Sequence, residues 1–293
     1  NTYTVEGLTT SNPSSTNVAT LTNEISGTAV VKDAEGNDVT AQFEVKTTDG
    51  ELKVNTATMT VTITGNSDTS VVYDGTAHTV SGYTASSTNS LFRTEDVQHT
   101  GNETITETAA GEYTMGLASN QFSYANENIA VTFNATDGAL NIAKREITVA
   151  VADKTAEYNG NVQYGNSDYT FTNLADGQTA TIGYTAASGK LVDEYDNGAY
   201  ANDLKVMSGA GEEATDVTAN YTLTGTTAGK LTITDRSEKY AIEVVANSTE
   251  ATYDGNPHSA EGFGTLTFTV EGNTYTVEGL TTSNPSSTNV ATL

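Results

Sequence analysis

The chain has 293 residues, more than one ordinary domain needs, and its 37 Asp and Glu against 12 Lys and Arg give a formal charge of −25. Such a charge repels phosphate backbones and anionic membrane surfaces, so neither nucleic-acid binding nor membrane insertion is expected; its ordinary role is solubility and self-repulsion on a crowded surface. There is no Cys, which excludes disulfides, thiol chemistry and Cys-based metal sites and leaves every module to its core alone, favouring modules of about 90 residues over modules of about 40.

Residues 1–21 reappear without a change as residues 273–293. The chain is therefore little more than one period of a tandem array, and such a repeat argues against an enzyme with a single site. Within the period, three modules follow one another. Segment 1–56 reads as the C-terminal part of a module, 57–143 and 144–236 as complete β modules, and 237–293 as the N-terminal part of another. On this reading the chain starts and stops inside a module.

In chain order, each module opens on a strand rich in β-branched residues: Met59–Thr64, Glu146–Val151 and Ala241–Val245. Each strand leads to a tight turn, Tyr73-Asp74-Gly75, Tyr158-Asn159-Gly160 and Tyr253-Asp254-Gly255, where Asp/Asn-Gly supplies the positive φ that such turns require. Gly111-Glu112-Tyr113 and Asp196-Asn197-Gly198-Ala199-Tyr200 have the sequence of a tyrosine corner, complete only in the second module and without a clear counterpart in 22–56. The modules close on similar strings: Asp38-Val39-Thr40-Ala41-Gln42-Phe43-Glu44-Val45, Glu127-Asn128-Ile129-Ala130-Val131-Thr132-Phe133 and Asp216-Val217-Thr218-Ala219-Asn220-Tyr221-Thr222-Leu223. Turns at Asp49-Gly50, Asp137-Gly138 and Ala228-Gly229 follow, then apolar residues at alternate positions, which predicts a closing hairpin. No sustained helical stripe occurs; Leu117–Tyr124 and Leu191–Met207 have room for one helical turn. The junctions at 142–147 and 234–240 carry no flexible linker, which predicts a stiff, elongated rod whose modules contact their neighbours.

These patterns predict an all-β chain of tandem immunoglobulin-like β-sandwich modules. A β-grasp-like module is the alternative, and it needs a helix of about ten residues crossing the sheet.

The turn motif, the Gly-x-Tyr element and the Asp-Val-Thr-Ala-Asn-Tyr-Thr-Leu closing string resemble the MBG and YDG-type repeats of large Gram-positive cell-surface adhesins, including mucus-binding proteins. The resemblance covers essentially the whole chain at module level. It implies an extracellular, cell-wall-anchored stalk or adhesin and adjacent repeats as partners. Host mucin glycans or immunoglobulin are the external partners it suggests. It carries no binding residue, because the shared motifs form turns.

Candidate sites are therefore weighed by recurrence. His78 and His258 hold the same place in the turn motif, but the second module has Gln163 there; Gln replaces a hydrogen-bonding His and not a metal ligand or proton shuttle. The acidic turn Asp33–Asp38 offers oxygen ligands to calcium, without the spacing of a calcium loop, and reads as a solvated turn. Lys154 and Asn220 are the pair considered for an isopeptide bond, and no such pair recurs in 57–143. No catalytic motif, metal or cofactor site is found. Tyr73, Tyr158 and Tyr253 recur and belong to the fold, as do Tyr113 and Tyr200. The non-recurrent Tyr164, Tyr169, Tyr184 and Tyr195 are the candidates for a recognition surface. Finally, 1–56 and 237–293 are expected to associate head to tail between chains.

Overall fold

The computed structural model describes residues 2–291. They are all-β, with short 3-10 turns and no α-helix. The helix that a β-grasp module needs is thus absent among the described residues. This all-β make-up is consistent with a β-sandwich-type fold. Two compact units are present: residues 1–72 with 76–143, and residues 73–75 with 144–293.

In the first unit, alternation of apolar and polar residues makes Ala57–Gly65 a half-buried strand, with Met59, Val61 and Ile63 turned inward at 5%, 0% and 0% exposure. It lies between Tyr83–Ser86, antiparallel, and Ile129–Thr136, parallel. The chain then steps to a second sheet. Asp68–Val72 runs parallel to Ala139–Ala143, whose other neighbour is the antiparallel Gly111–Thr114. The second unit repeats this plan. Arg145–Val151 lies between Tyr169–Thr172, antiparallel, and Tyr221–Thr227, parallel. Lys154–Glu157 pairs in parallel with Leu231–Thr234, which has Asp193–Tyr195 on its far side.

The predicted closing hairpin is not formed. Ile129–Thr136 and Ala139–Ala143 belong to different sheets, and each pairs with a different half of the opening segment. Opening and closing segments thus run side by side and change sheet together. At the crossing the two backbones nearly touch: a Cβ on Gly65 would lie 2.3 Å from the Gly138 nitrogen, and one on Gly138 would lie 2.5 Å from the Asn66 oxygen. Asp137 serves this crossing by accepting the Gly116 and Leu117 N–H groups at 3.0 and 2.9 Å. In the second unit Gly229 plays the same part, with a Cβ placed 2.5 Å from the Ala152 oxygen. The Asp-Gly signal marks a crossover, because only Gly lets the two chains pass.

The remaining segments are simpler. Thr4–Thr10 pairs with Ile25–Lys32, and Ala19–Asn23 with Gly50–Val54, both antiparallel. Near the C-terminus, Thr267–Val270 and Asn273–Thr276 form a hairpin. Its turn residues Glu271 and Gly272 both have positive φ, 47° and 79°. The strand expected at Ala241–Val245 is not formed; the nearest pairing is an isolated bridge from Ala246 to Phe263. Of the two possible helical turns, one is a 3-10 turn at Ser119–Gln121. Short strands occupy the other stretch.

Candidate functional site

The turn motif adopts the backbone its sequence calls for. Gly75, Gly160 and Gly255 have φ of 84°, 76° and 81°. What differs is what each turn meets.

Tyr73 is 2% exposed. Its hydroxyl accepts from Gln178 Nε2 at 2.9 Å, and Gln178 Oε1 accepts from the Tyr221 hydroxyl at 2.7 Å. That hydroxyl in turn accepts the Ala175 N–H at 3.0 Å. The two tyrosine rings meet edge to face at 5.4 Å. Burial pushes the Tyr221 phenol above its usual range, against the opposing pull of the Ala175 N–H. Arg145 closes the joint. Its Nη1 donates to the Tyr73 oxygen at 3.3 Å, and its Nε and Nη2 donate to the Asn173 oxygen and Oδ1 at 2.7 and 2.9 Å. Gly75 sits where a Cβ would stand 2.9 Å from Gln178 Nε2.

The Tyr158 turn repeats the arrangement in part. Arg236 Nη1 donates to the Tyr158 oxygen at 3.2 Å, and a Cβ on Gly160 would stand 2.9 Å from Val270 Cγ1. The Arg236 guanidinium also lies 4.1 Å from the centre of the Tyr240 ring, and the Tyr240 hydroxyl donates to Glu271 at 2.7 Å. Desolvation raises the Tyr240 phenol, and the hydrogen bond to Glu271 adds to this. Among the described residues, however, Tyr158 has no edge-to-face ring contact like that of Tyr73 with Tyr221. A groove of about 630 Å³ opens there, lined by Tyr158, Arg236, Ile242, Phe268, Val270 and Tyr275 among others. At the third turn, Tyr253 is 63% exposed and nothing lies within 4 Å of a Cβ on Gly255.

The other sequence candidates fall as follows. His258 Nε2 and Asp254 Oδ1 are 2.9 Å apart, and Asp254 also accepts the Asn256 N–H at 2.9 Å. Asn159 accepts the Asn161 N–H in the same way. Gln163 donates to the Glu157 oxygen at 3.2 Å. His78 stands near enough to the Asp68 carboxylate to help hold it below the usual range, after the Ser70 hydrogen bonds. Asp74 is not without a partner. His99 is buried on the face of Phe122, 4.7 Å between ring centres.

Corner bonds are made by Tyr113 and Tyr195, whose hydroxyls donate to the Ala109 and Leu191 oxygens at 3.1 and 3.0 Å, four residues back in each case. Tyr200, placed at the corner by the Asp196-x-Gly198-x-Tyr pattern, instead reaches the Thr227 oxygen at 3.0 Å. A Cβ on Gly198 would meet the Tyr184 hydroxyl at 2.5 Å. The four-residue spacing from Leu191 is the one sequence signal for Tyr195 at the corner. Among the proposed recognition tyrosines, Tyr184 lies tilted against Tyr200 at 4.7 Å and Tyr169 packs edge to face on Phe171 at 5.7 Å. Tyr164 is 62% exposed. Among the described residues no ring contact joins the four to one another.

In the acidic turn, the Asp33 carboxylate accepts from Asn37 Nδ2 and from the Asn37 and Glu35 N–H groups, and these bonds hold it below the usual carboxylate range. Lys154 Nζ donates to the Tyr164 oxygen at 2.9 Å. Among the described residues no group of three or more His, Asp or Glu is placed to hold a metal ion. No helix among them is long and apolar enough to cross a membrane. The chain matches no family model, no curated protein and no solved structure.

Proposed function

We propose that this chain is part of the repeat region of a bacterial surface adhesin, a stalk of immunoglobulin-like modules that also binds host surface material multivalently. The observation that carries the reading is repetition without linkers: an identical string at both ends of a period, and the same Tyr-Gly turn tied by an arginine, first Arg145 and then Arg236. Repeats joined in this way suit projection away from a cell wall, and many weak sites add by avidity. The absence of cysteine and the acidic surface suit a long extracellular array. Tyr164, an aromatic side chain 62% exposed, suits a glycan or protein partner.

The test is capture of mucin glycans and of immunoglobulin by one period and by an array of several. Capture by the array alone supports avidity. Nanomolar capture by a single period would make the chain a dedicated host-protein binder, and no capture by either would make it a passive spacer.

A further inference from the structure

We propose that Asn159 is a site of self-modification: the Gly160 nitrogen attacks the Asn159 side-chain amide, ammonia leaves, and water opens the resulting ring to an acidic residue. The inference concerns residues inside 144–236 and stands apart from what the stalk binds.

The reaction needs water and no other reagent. The Gly160 nitrogen loses its proton and bonds to Asn159 Cγ. The bond from Cγ to Nδ2 breaks, and Nδ2 departs with that proton as ammonia. A cyclic imide remains. Water adds to one of its carbonyl carbons, and the bond from that carbon to the ring nitrogen breaks. Opening at Cγ leaves an ordinary Asp. Opening at the main-chain carbon sends the chain through the side chain and lengthens the turn by one carbon. The rate depends on whether the nitrogen can reach Cγ. A side chain on the following residue obstructs that approach, and glycine has none.

The chain has two Asn-Gly pairs, Asn159-Gly160 and Asn197-Gly198, and the structure separates them. Asn159 Oδ1 accepts the Asn161 N–H at 2.9 Å. Such an Asx turn folds the side-chain amide back over the peptide that follows it. Among the described residues the side chain has no second hydrogen bond, so the leaving group Nδ2 is not held. Asn197 is clamped at both ends. Its Oδ1 accepts the Ser188 N–H at 2.8 Å, and its Nδ2 donates to the Ser188 oxygen at 3.0 Å. Gly198 is also hemmed in: a Cβ there would lie 2.5 Å from the Tyr184 hydroxyl and 3.2 Å from the Ala187 nitrogen. Its peptide has little room to turn toward Cγ.

The other two turns already carry the product. Asp74 and Asp254 stand where Asn159 stands. Asp254 Oδ1 accepts the Asn256 N–H at 2.9 Å, as Asn159 Oδ1 accepts that of Asn161, and it also meets His258 Nε2 at 2.9 Å. In the second turn Gln163 takes the place of that His. It donates to the Glu157 oxygen at 3.2 Å and so does not hold the Asn159 side chain. Asp74 and Asn159 are both half-buried, and Asp74 is so although Tyr73 beside it packs on Tyr221. A filled joint therefore leaves this position within reach of water. An acid at 159 gains a charge-assisted bond from the Asn161 N–H. It also lies beside Arg236, whose Nη1 donates to the Tyr158 oxygen at 3.2 Å.

The test incubates the 293-residue chain well below its melting temperature, at neutral and at mildly alkaline pH. Mass spectrometry of its peptides then reads acid in place of amide at each Asn-Gly pair. Acid is expected to accumulate at 159 and about tenfold more slowly at 197, where two hydrogen bonds to Ser188 must break first. Both rates are expected to rise with pH, because the nucleophile is the deprotonated nitrogen. In urea the folded contacts are gone, and the two sites are expected to react alike. Asn159→Asp is expected to melt no lower than the parent chain, and Asn159→Gln to lose the signal at 159 while keeping that at 197. An equal or faster rate at 197 in the folded chain, a preference for 159 that persists in urea, or a lower melting temperature of Asn159→Asp would each overturn the proposal.

Discussion

Arg145 and Tyr73 are joined at 3.3 Å from the guanidinium Nη1 to the main-chain oxygen, and Arg236 and Tyr158 are joined the same way at 3.2 Å. A main-chain oxygen at a left-handed turn has few donors to choose from, and a guanidinium with several N–H groups can serve it while holding a second segment. Arg145 does so through Asn173, Arg236 through the Glu238 oxygen and Glu271. Arg145→Ala is expected to cost about 1–2 kcal/mol, since three hydrogen bonds are lost, the one to the Tyr73 oxygen being part-buried. Arg145→Lys is expected to recover only part of this, because an ammonium cannot reproduce the fork. Urea unfolding of the full chain with an unchanged slope checks both.

The three turn glycines give a graded comparison. Gly75→Ala meets both the positive φ and a side-chain nitrogen at 2.9 Å, whereas Gly255→Ala meets only the φ. A loss of about 1 kcal/mol is expected at Gly255 and about 2 kcal/mol or more at Gly75. Equal shifts in melting temperature would show that the contact with Gln178 contributes nothing.

Gln178 bridges two buried phenols. Gln178→Ala leaves the Tyr73 hydroxyl without its donor and the Tyr221 hydroxyl without its acceptor. A loss of about 2–3 kcal/mol is expected, with a change in the near-ultraviolet tyrosine signal. Tyr221→Phe should cost less, because the ring contact with Tyr73 remains.

Acid should unfold the Asp-x-Thr turns first. Hydrogen bonds from the Thr40 and Thr218 hydroxyls, and then from their N–H groups, hold Asp38 and Asp216 below the ordinary 3.8. A depressed folded pKa gives stability that is present above 3.8 and is lost as the pH falls through the lower folded value. The melting temperature is expected to stay level from neutrality down to the ordinary carboxylate range and to drop beneath it. Asp216→Asn should lower it at neutral pH and flatten the acid limb.

Residues 57–236 are expected to fold without the flanking segments. Circular dichroism of that fragment should show β structure and a cooperative melt.

The sequence carried the strands and turns but not their partners. The Asp-Val-Thr string and the turn glycines were readable because a local hydrogen bond and a local φ decide them. Asp137-Gly138 read as a hairpin because two alternating strands flank it, yet its glycine is needed for a close crossing with Gly65, a contact that no local pattern records. The Asp-x-Gly-x-Tyr signature points to Tyr200 and not to Tyr195, while the corner bond itself depends on a carbonyl four residues back. Ala241–Val245 has the composition of its two counterparts and forms no strand, since a strand needs a neighbour to pair with.

The parallel run of opening and closing segments has a mechanical consequence. In 57–143, tension enters at the start of Ala57–Gly65 and leaves at the end of Ala139–Ala143, and the closing segment's two strands lie parallel to the opening segment's two halves. Pulling drags these neighbours in opposite directions along their length. Their hydrogen bonds are then loaded together in shear, so many must fail at once. An antiparallel pair pulled from its open end would instead unzip one bond at a time.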